Sequence, residues 1–202
     1  MNRPWPSLRW GYLILAAGLS SCSVLPESSP HDIYRLPPSS VTASEGEGSE
    51  LALRINTPSA DALLSSTRIV VIPDGNRVSV YQGVRWRSPA PVLWRDHLLE
   101  AFQNDGRIVR LSSSAERLRA DIEIGGILQA FQTEYRAGVP EVVIRLDARL
   151  VESTGKRILA SRRFVIKEAV NSTRVPDVVA AFGRASDAMA KALIDWTLLH
   201  AK

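Results

Sequence analysis

Three runs of the chain, residues 121–132, 141–152 and 157–167, alternate apolar and polar side chains for about a dozen residues each. Alternation with period two marks strands that bury one face. Their connections are short: one loop holds Gly138 and Pro140, and the other is the turn Ser153-Thr154-Gly155-Lys156. Neither can hold a crossover helix, so consecutive runs must pair antiparallel. Any fold open to this chain therefore contains a three-stranded meander.

Further strands precede it. Residues 32–36 (DIYRL) set Ile33 and Arg35 against Tyr34 and Leu36, and Pro37-Pro38 closes them. Residues 39–50 are polar and glycine-containing, the composition of a loop. Residues 51–55 put Leu51, Leu53 and Ile55 on one face. Thr57-Pro58 predicts a short helical piece through Leu64, and residues 67–72 (TRIVVI) a central strand. Pro73-Asp74-Gly75-Asn76 supplies turn chemistry, so the strand predicted over 77–86 returns as a hairpin. Residues 107–112 predict one more strand, and 115–121 its connection onward. Gly125-Gly126, in mid-strand with no helix after it, predicts a bulge or bend.

Two segments carry helical spacing. Ser88-Pro89 and Asn104-Asp105-Gly106 bracket the first, whose Val92, Leu98, Leu99 and Phe102 should face the sheet. In the second, Pro176-Asp177 begins a helix on which Val178, Phe182, Ala185, Met189, Leu193 and Trp196 recur every three or four residues. The predicted fold is α+β: an antiparallel or mixed β-sheet with two main helices packed on one face. Most of the aromatic residues, among them Trp86, Trp94, Tyr34, Tyr81, Phe131 and Tyr135, belong to its core.

The N-terminus follows a different rule. Residues 1–10 carry Arg3 and Arg9 and no acid, and residues 11–19 are small or apolar and uncharged. This is the layout of a secretory signal peptide, and the apolar run is about half the roughly 20 residues a membrane span needs. Leu19-Ser20-Ser21-Cys22 follows, holding the chain's one cysteine, and resembles the lipobox of bacterial lipoproteins. That resemblance implies cleavage after Ser21 and acylation of Cys22. An unmodified exposed thiol would invite intermolecular pairing in an oxidising compartment; the alternative is an ordinary signal cut nearby. One acyl chain holds a protein only marginally, and each further buried methylene adds about 0.8 kcal/mol, so two or three chains anchor it firmly. Residues 23–31 (SVLPESSPH) are a Ser- and Pro-rich tether. The organisation expected is a signal peptide at 1–21, a lipidated cysteine and tether at 22–31, and a single domain at 32–202. Among bacterial lipoproteins an Asp after the cysteine signals inner-membrane retention; Ser23 there implies the outer membrane.

Without Arg3 and Arg9 the charge excess falls from +4 to about +2, with no block of like charge, so nucleic acid is not an expected partner. The sequence offers no nucleophile and base in a catalytic pattern. His31 lies in the tether, His200 near the end, and His97 inside the first helix beside Asp96, where a surface histidine making a helix contact is the expectation. No nucleophile elbow, phosphate-cradling glycine loop or His-Glu-x-x-His pair occurs. Asp121, Glu123, Asp147 and Glu152 fit a solvated sheet face. No catalytic residue, cofactor or metal site is expected, and the chain is not expected to be an enzyme.

The residues together resemble a family. The lipobox, the early IYRL strand, RIVV before a turn, VYQGVRWRSPAPVL leading into a helix with LLEAFQ, and ADIEIGGILQAFQ before two alternating strands and a C-terminal helix are similar to the ABC-type transport auxiliary lipoproteins, the PqiC-like group. The spacing from Tyr81 to Trp86 to Pro89 and the Asp121 strand with Phe131 carry most of it. The resemblance implies an outer-membrane lipoprotein on the periplasmic face that works with an MCE-domain protein and inner-membrane transport components, moving lipids or other apolar molecules across the periplasm and supporting membrane integrity. It implies an adaptor-like subunit without an active site. A structural or assembly-factor lipoprotein for another outer-membrane machine is the competing reading. Long strands with an open edge could also add to a partner's sheet, or to further copies of the chain as a homo-oligomer.

Overall fold

The structure, a computed structural model, describes residues 31–46 and 48–201. The meander forms as expected: β7 (Ile122–Arg136), β8 (Val139–Glu152) and β9 (Ile158–Ala169) pair antiparallel in sequence order. Two positive-φ residues, Ala137 and Gly138, turn β7 into β8.

β7 is the hub. One edge pairs with β8 from Ile122↔Glu152 to Arg136↔Val139. Its other edge is shared by two strands that both run parallel to it. β2 (Ser49–Ile55) pairs Leu53–Ile55 with Ile122–Ile124, and β3 (Val70–Asp74) pairs Val70–Ile72 with Gln132–Glu134. Between them Ser59 bridges to Ile127. The chain thus leaves the β7 edge after β2, loops out over residues 60–69, and rejoins the same edge. The predicted helical piece over 57–64 is instead a set of turns, because the Asp61 carboxylate takes the N–H groups of Leu63 and Leu64 at 2.8 Å each, a local alternative to a helix. β4 (Arg77–Val80) completes the predicted hairpin with β3 through Gly75 at φ 50°. β6 (Ile108–Ser113) lies parallel to β2 on the far side.

The predicted strand over 77–86 is two strands. Gly83, at φ 70°, breaks it, and β5 (Val84–Trp86) leaves the main sheet to pair in parallel with β1 (Asp32–Tyr34). Gly125 and Gly126 are not the bulge; the register slips between Leu128 and Ala130. Gly126, at φ 150°, is needed for close approach, since a Cβ there would stand 2.0 Å from the Asp147 carbonyl oxygen.

α1 (Ala90–Asp105) and α2 (Val175–His200) cover one face of the sheet, α1 over β2 and β6 and α2 over β8 and β9, and they pack on each other. Gly106, left-handed at φ 79°, ends α1 and donates its N–H to Phe102. The buried stripe of α1 is Leu93, Trp94, His97, Leu98, Ala101 and Phe102; Val92 and Leu99 are half-buried beside it. All six predicted positions on α2 are buried. Between the layers Phe182 stacks on Phe131 at 4.6 Å, and Trp86 meets both rings edge-on, the geometry aromatic quadrupoles favour. Among the described residues no helix is long and apolar enough to cross a membrane.

Candidate functional site

Cys22 and the tether through residue 30 lie outside the described residues, so the place where the chain enters the domain is the nearest described feature to the predicted anchor. Residues 35–44, expected as the end of a strand, a proline stop and a loop, have no regular structure, the first strand ending at Tyr34, but are held at several points. The Tyr34 carbonyl accepts the Arg87 N–H at 2.7 Å. Leu36 and Val41 are buried in the main core. Pro37 rests on Gly183 of α2, where a Cβ would stand 2.8 Å from Pro37 Cγ. One turn along α2, Asp187 accepts Ser39 Oγ at 2.8 Å, Ser40 Oγ at 2.6 Å and the Ser40 N–H at 3.2 Å. α1 holds the other side: Glu100 accepts the Ser39 N–H at 3.0 Å, and Asp105 accepts Ser44 Oγ at 2.8 Å. The segment is a strap laid across both helices.

His97 is the pin of this strap and not a surface residue. It is 5% exposed, with Nε2 2.9 Å from Asp187 Oδ1 and Nδ1 3.2 Å from the Pro37 carbonyl oxygen. Both neighbours are acceptors, so the ring bonds both when it carries two N–H protons. Burial raises the Asp187 carboxyl, but the hydrogen bonds from Ser40 and Ser39, with His97 nearby, outweigh it and hold the group below the usual carboxylate range. Serine, histidine and aspartate thus meet here, yet not as a catalytic relay. A relay needs the hydroxyl on the imidazole nitrogen remote from the acid, whereas both hydroxyls donate to Asp187 and the remote nitrogen faces a carbonyl. The arrangement clamps backbone.

His97 shares the helical spacing of Leu93, Trp94 and Ala101, so its burial was visible in the pattern. Asp187, Ser39, Ser40 and Gly183 carried no such signal, because the partners are up to 148 residues apart in the chain. His31 is exposed, and His200 Nδ1 lies 2.7 Å from the Trp196 carbonyl oxygen. Among the described residues no three His, Cys, Asp or Glu side chains gather as a metal site.

The carboxylates predicted on a solvated face divide. Asp121 is exposed and takes the Ala52 N–H at 2.8 Å, Asp147 pairs with Arg163 at 2.5 Å, and Glu152 lies 3.5 Å from Arg157. Glu123 is the exception at 8% exposed. Its register partner Arg54 pairs with it, Asn56 donates at 2.9 Å and Lys156 at 3.0 Å. Burial alone would raise this carboxyl; the three donors reverse that and bring it down to about 2.

The family of ABC-type transport auxiliary lipoprotein components matches residues 34–193, a span that begins in the last residue of β1 and takes in the strap, both helices' contacts to it and the whole sheet. The chain belongs to that family. A crystal structure of a Xanthomonas campestris protein, 30% identical, is similar with a TM-score of 0.78 over 84% of this lipoprotein and 95% of that chain. A hypothetical protein of Chlamydia trachomatis shares the fold at 6% identity, with a TM-score of 0.51 over 77% of this chain and 98% of its own. An uncharacterized protein of Bradyrhizobium diazoefficiens is 29% identical over 148 residues; the match takes in 73% of this lipoprotein and spans 40% of that relative's length. In this lipoprotein the strap binds the segment that follows β1 to both helices.

Proposed function

We propose that this lipoprotein is the outer-membrane-anchored auxiliary subunit of an MCE/ABC-type transport system, an adaptor without chemistry of its own that stands at the periplasmic face and helps move lipids or other apolar molecules. Family membership supports the transport role. The structural observation that carries the adaptor reading is the strap: the buried His97–Asp187 pair, with Ser39 and Ser40 at its rim, is spent on fixing residues 37–40 against α1 and α2. A lipid on Cys22 then holds the domain through a tether of nine residues, reaching roughly 30 Å when extended, attached at a point that is rigid relative to the sheet. β9 has one sheet neighbour among the described residues, which leaves an edge for strand addition by an MCE-domain partner or by a second copy.

Membrane fractionation tests the anchor and the sorting. Cys22→Ser should release the protein from membranes, and Ser23→Asp should move it from the outer to the inner membrane on a density gradient. Wild-type protein found mainly in the inner membrane would overturn the placement. Affinity capture of the wild-type lipoprotein should bring down an MCE-domain protein; capture of another outer-membrane assembly in its place would overturn the partner.

A further inference from the structure

A second feature lies on the sheet face away from the helices, where β2 and β7 begin their pairing. A groove of about 410 Å³ is lined by Arg54, Arg117, Arg119 and Lys156, with Glu123 as the opposing charge and Leu118 beside them. Arg54 and Lys156 share Glu123. Arg117 and Arg119 have no ion-pair or hydrogen-bond partner for their side chains among the described residues, and both are exposed. Four cations thus face one carboxylate, and that carboxylate is already used by two of them.

The backbone adds an independent sign. Outside glycine, positive φ occurs among the described residues at three positions, and two of them, Arg117 at 56° and Lys156 at 53°, line this groove from different loops. The third, Ala137, belongs to the turn from β7 to β8. Side chains at such angles are unfavourable, and they persist where surrounding structure or function holds them. Here each brings a basic side chain to the same groove from a connection: the β6–β7 loop supplies Arg117 and Arg119, and the β8–β9 turn supplies Lys156.

We propose that this groove binds a phosphate group, with Arg117 and Arg119 as its principal ligands and Arg54 and Lys156 adding field. Arginine is suited to the task because its planar fork matches tetrahedral phosphate oxygens with paired, charge-assisted hydrogen bonds. Glu123 fixes Arg54 and Lys156 in position and leaves the groove with an excess of positive charge. Leu118, 54% exposed, gives the groove an apolar lip that would meet the glycerol and first methylenes of a phospholipid and would be idle against free phosphate. This inference stands apart from the transport reading, since fractionation and affinity capture can fail while phosphate binding holds, and the reverse.

Calorimetry on the purified full-length lipoprotein in a nonionic detergent is the test. The titrants are inorganic phosphate and dibutanoyl phosphatidylglycerol, a phospholipid short enough to stay monomeric. Binding of the phospholipid more tightly than phosphate identifies a lipid headgroup as the natural source, and equal binding identifies free phosphate. Either should weaken about tenfold in Arg117→Gly and again in Arg119→Gln, one strong contact each, and should weaken as salt rises. Arg117→Gly also separates binding from folding, because glycine suits the positive φ and should leave thermal stability unchanged or higher. The proposal is overturned if wild type binds neither titrant, or if the Arg117→Gly/Arg119→Gln double variant binds as wild type does.

Discussion

Gly183→Ala sets two effects of known sign against each other at the strap. In the interior of α2 an alanine is worth about 1 kcal/mol over glycine, through backbone entropy. The new Cβ, however, would stand 2.8 Å from Pro37 Cγ, 2.9 Å from its Cβ and 3.3 Å from its Cδ. A proline ring cannot swing aside as a flexible side-chain end can, and overpacking of this kind costs about 1–3 kcal/mol. The clash should win: Gly183→Ala should lose about 1 kcal/mol, roughly 2–4 °C in Tm for a domain of this size. With Pro37→Gly in the background the ring and its Cβ are both gone and the sign should reverse, Gly183→Ala now gaining about 1 kcal/mol. The double-mutant cycle should therefore show a coupling of about 2 kcal/mol. Urea unfolding of the four proteins, with coincident probes to check two-state behaviour, measures it. A Gly183→Ala variant as stable as wild type, or one with the same effect in both backgrounds, would refute the account of the strap.

Asp187→Ala should cost about 2–4 kcal/mol, because it strips hydrogen bonds from Ser39 and Ser40 and leaves buried His97 without its carboxylate; limited proteolysis should then cut within residues 36–44, where wild type resists. Glu123 sets an acid limit. Its carboxyl falls from an ordinary 4.5 to about 2, so its stabilisation is complete above pH 4.5 and is lost as pH drops from 4.5 towards 2, on the order of 3 kcal/mol in all; Glu123→Gln should flatten the stability curve over that window, and an unchanged curve would count against the Arg54–Glu123–Lys156 cluster. Gly126→Ala should prevent native folding, since no side chain can yield to a backbone oxygen 2.0 Å away, and soluble protein with wild-type circular dichroism would contradict that. His97→Ala should loosen the strap, since its ring bonds both Asp187 and the Pro37 carbonyl, and limited proteolysis within residues 36–44 as slow as in wild type would count against its role as the pin.

Local periodicity and turn chemistry were enough for most of the architecture. The alternating runs became β7, β8 and β9 because a half-buried strand must present alternate faces, and α2 buried the six positions its 3.6-residue period marked. The same local rules misled where a residue's partner was distant. Thr57-Pro58 opened turns and not a helix once Asp61 captured its neighbours' N–H groups, and the strand through Gly83 broke because β1 was there to receive β5. Gly125-Gly126 announced an exception in the strand but not its cause, which is the Asp147 carbonyl of β8.

The candidate sites show the division most clearly. The expectation at Cys22 rests on the order of residues 19–22 alone, because a lipobox is a pattern of neighbours in the chain and needs no distant partner. The strap and the basic groove are not readable in that way. Ser40 meets Asp187 across 147 residues and Arg54 meets Glu123 across 69; serines, arginines and a lone glycine are each unremarkable where they stand. What makes Gly183 necessary is a proline ring from the far end of the chain, and what makes Glu123 a buried acid is a register that sets Arg54 beside it. Such meetings are properties of packing, in which every group's environment is set by elements folded onto it, and a linear pattern carries no record of those distances.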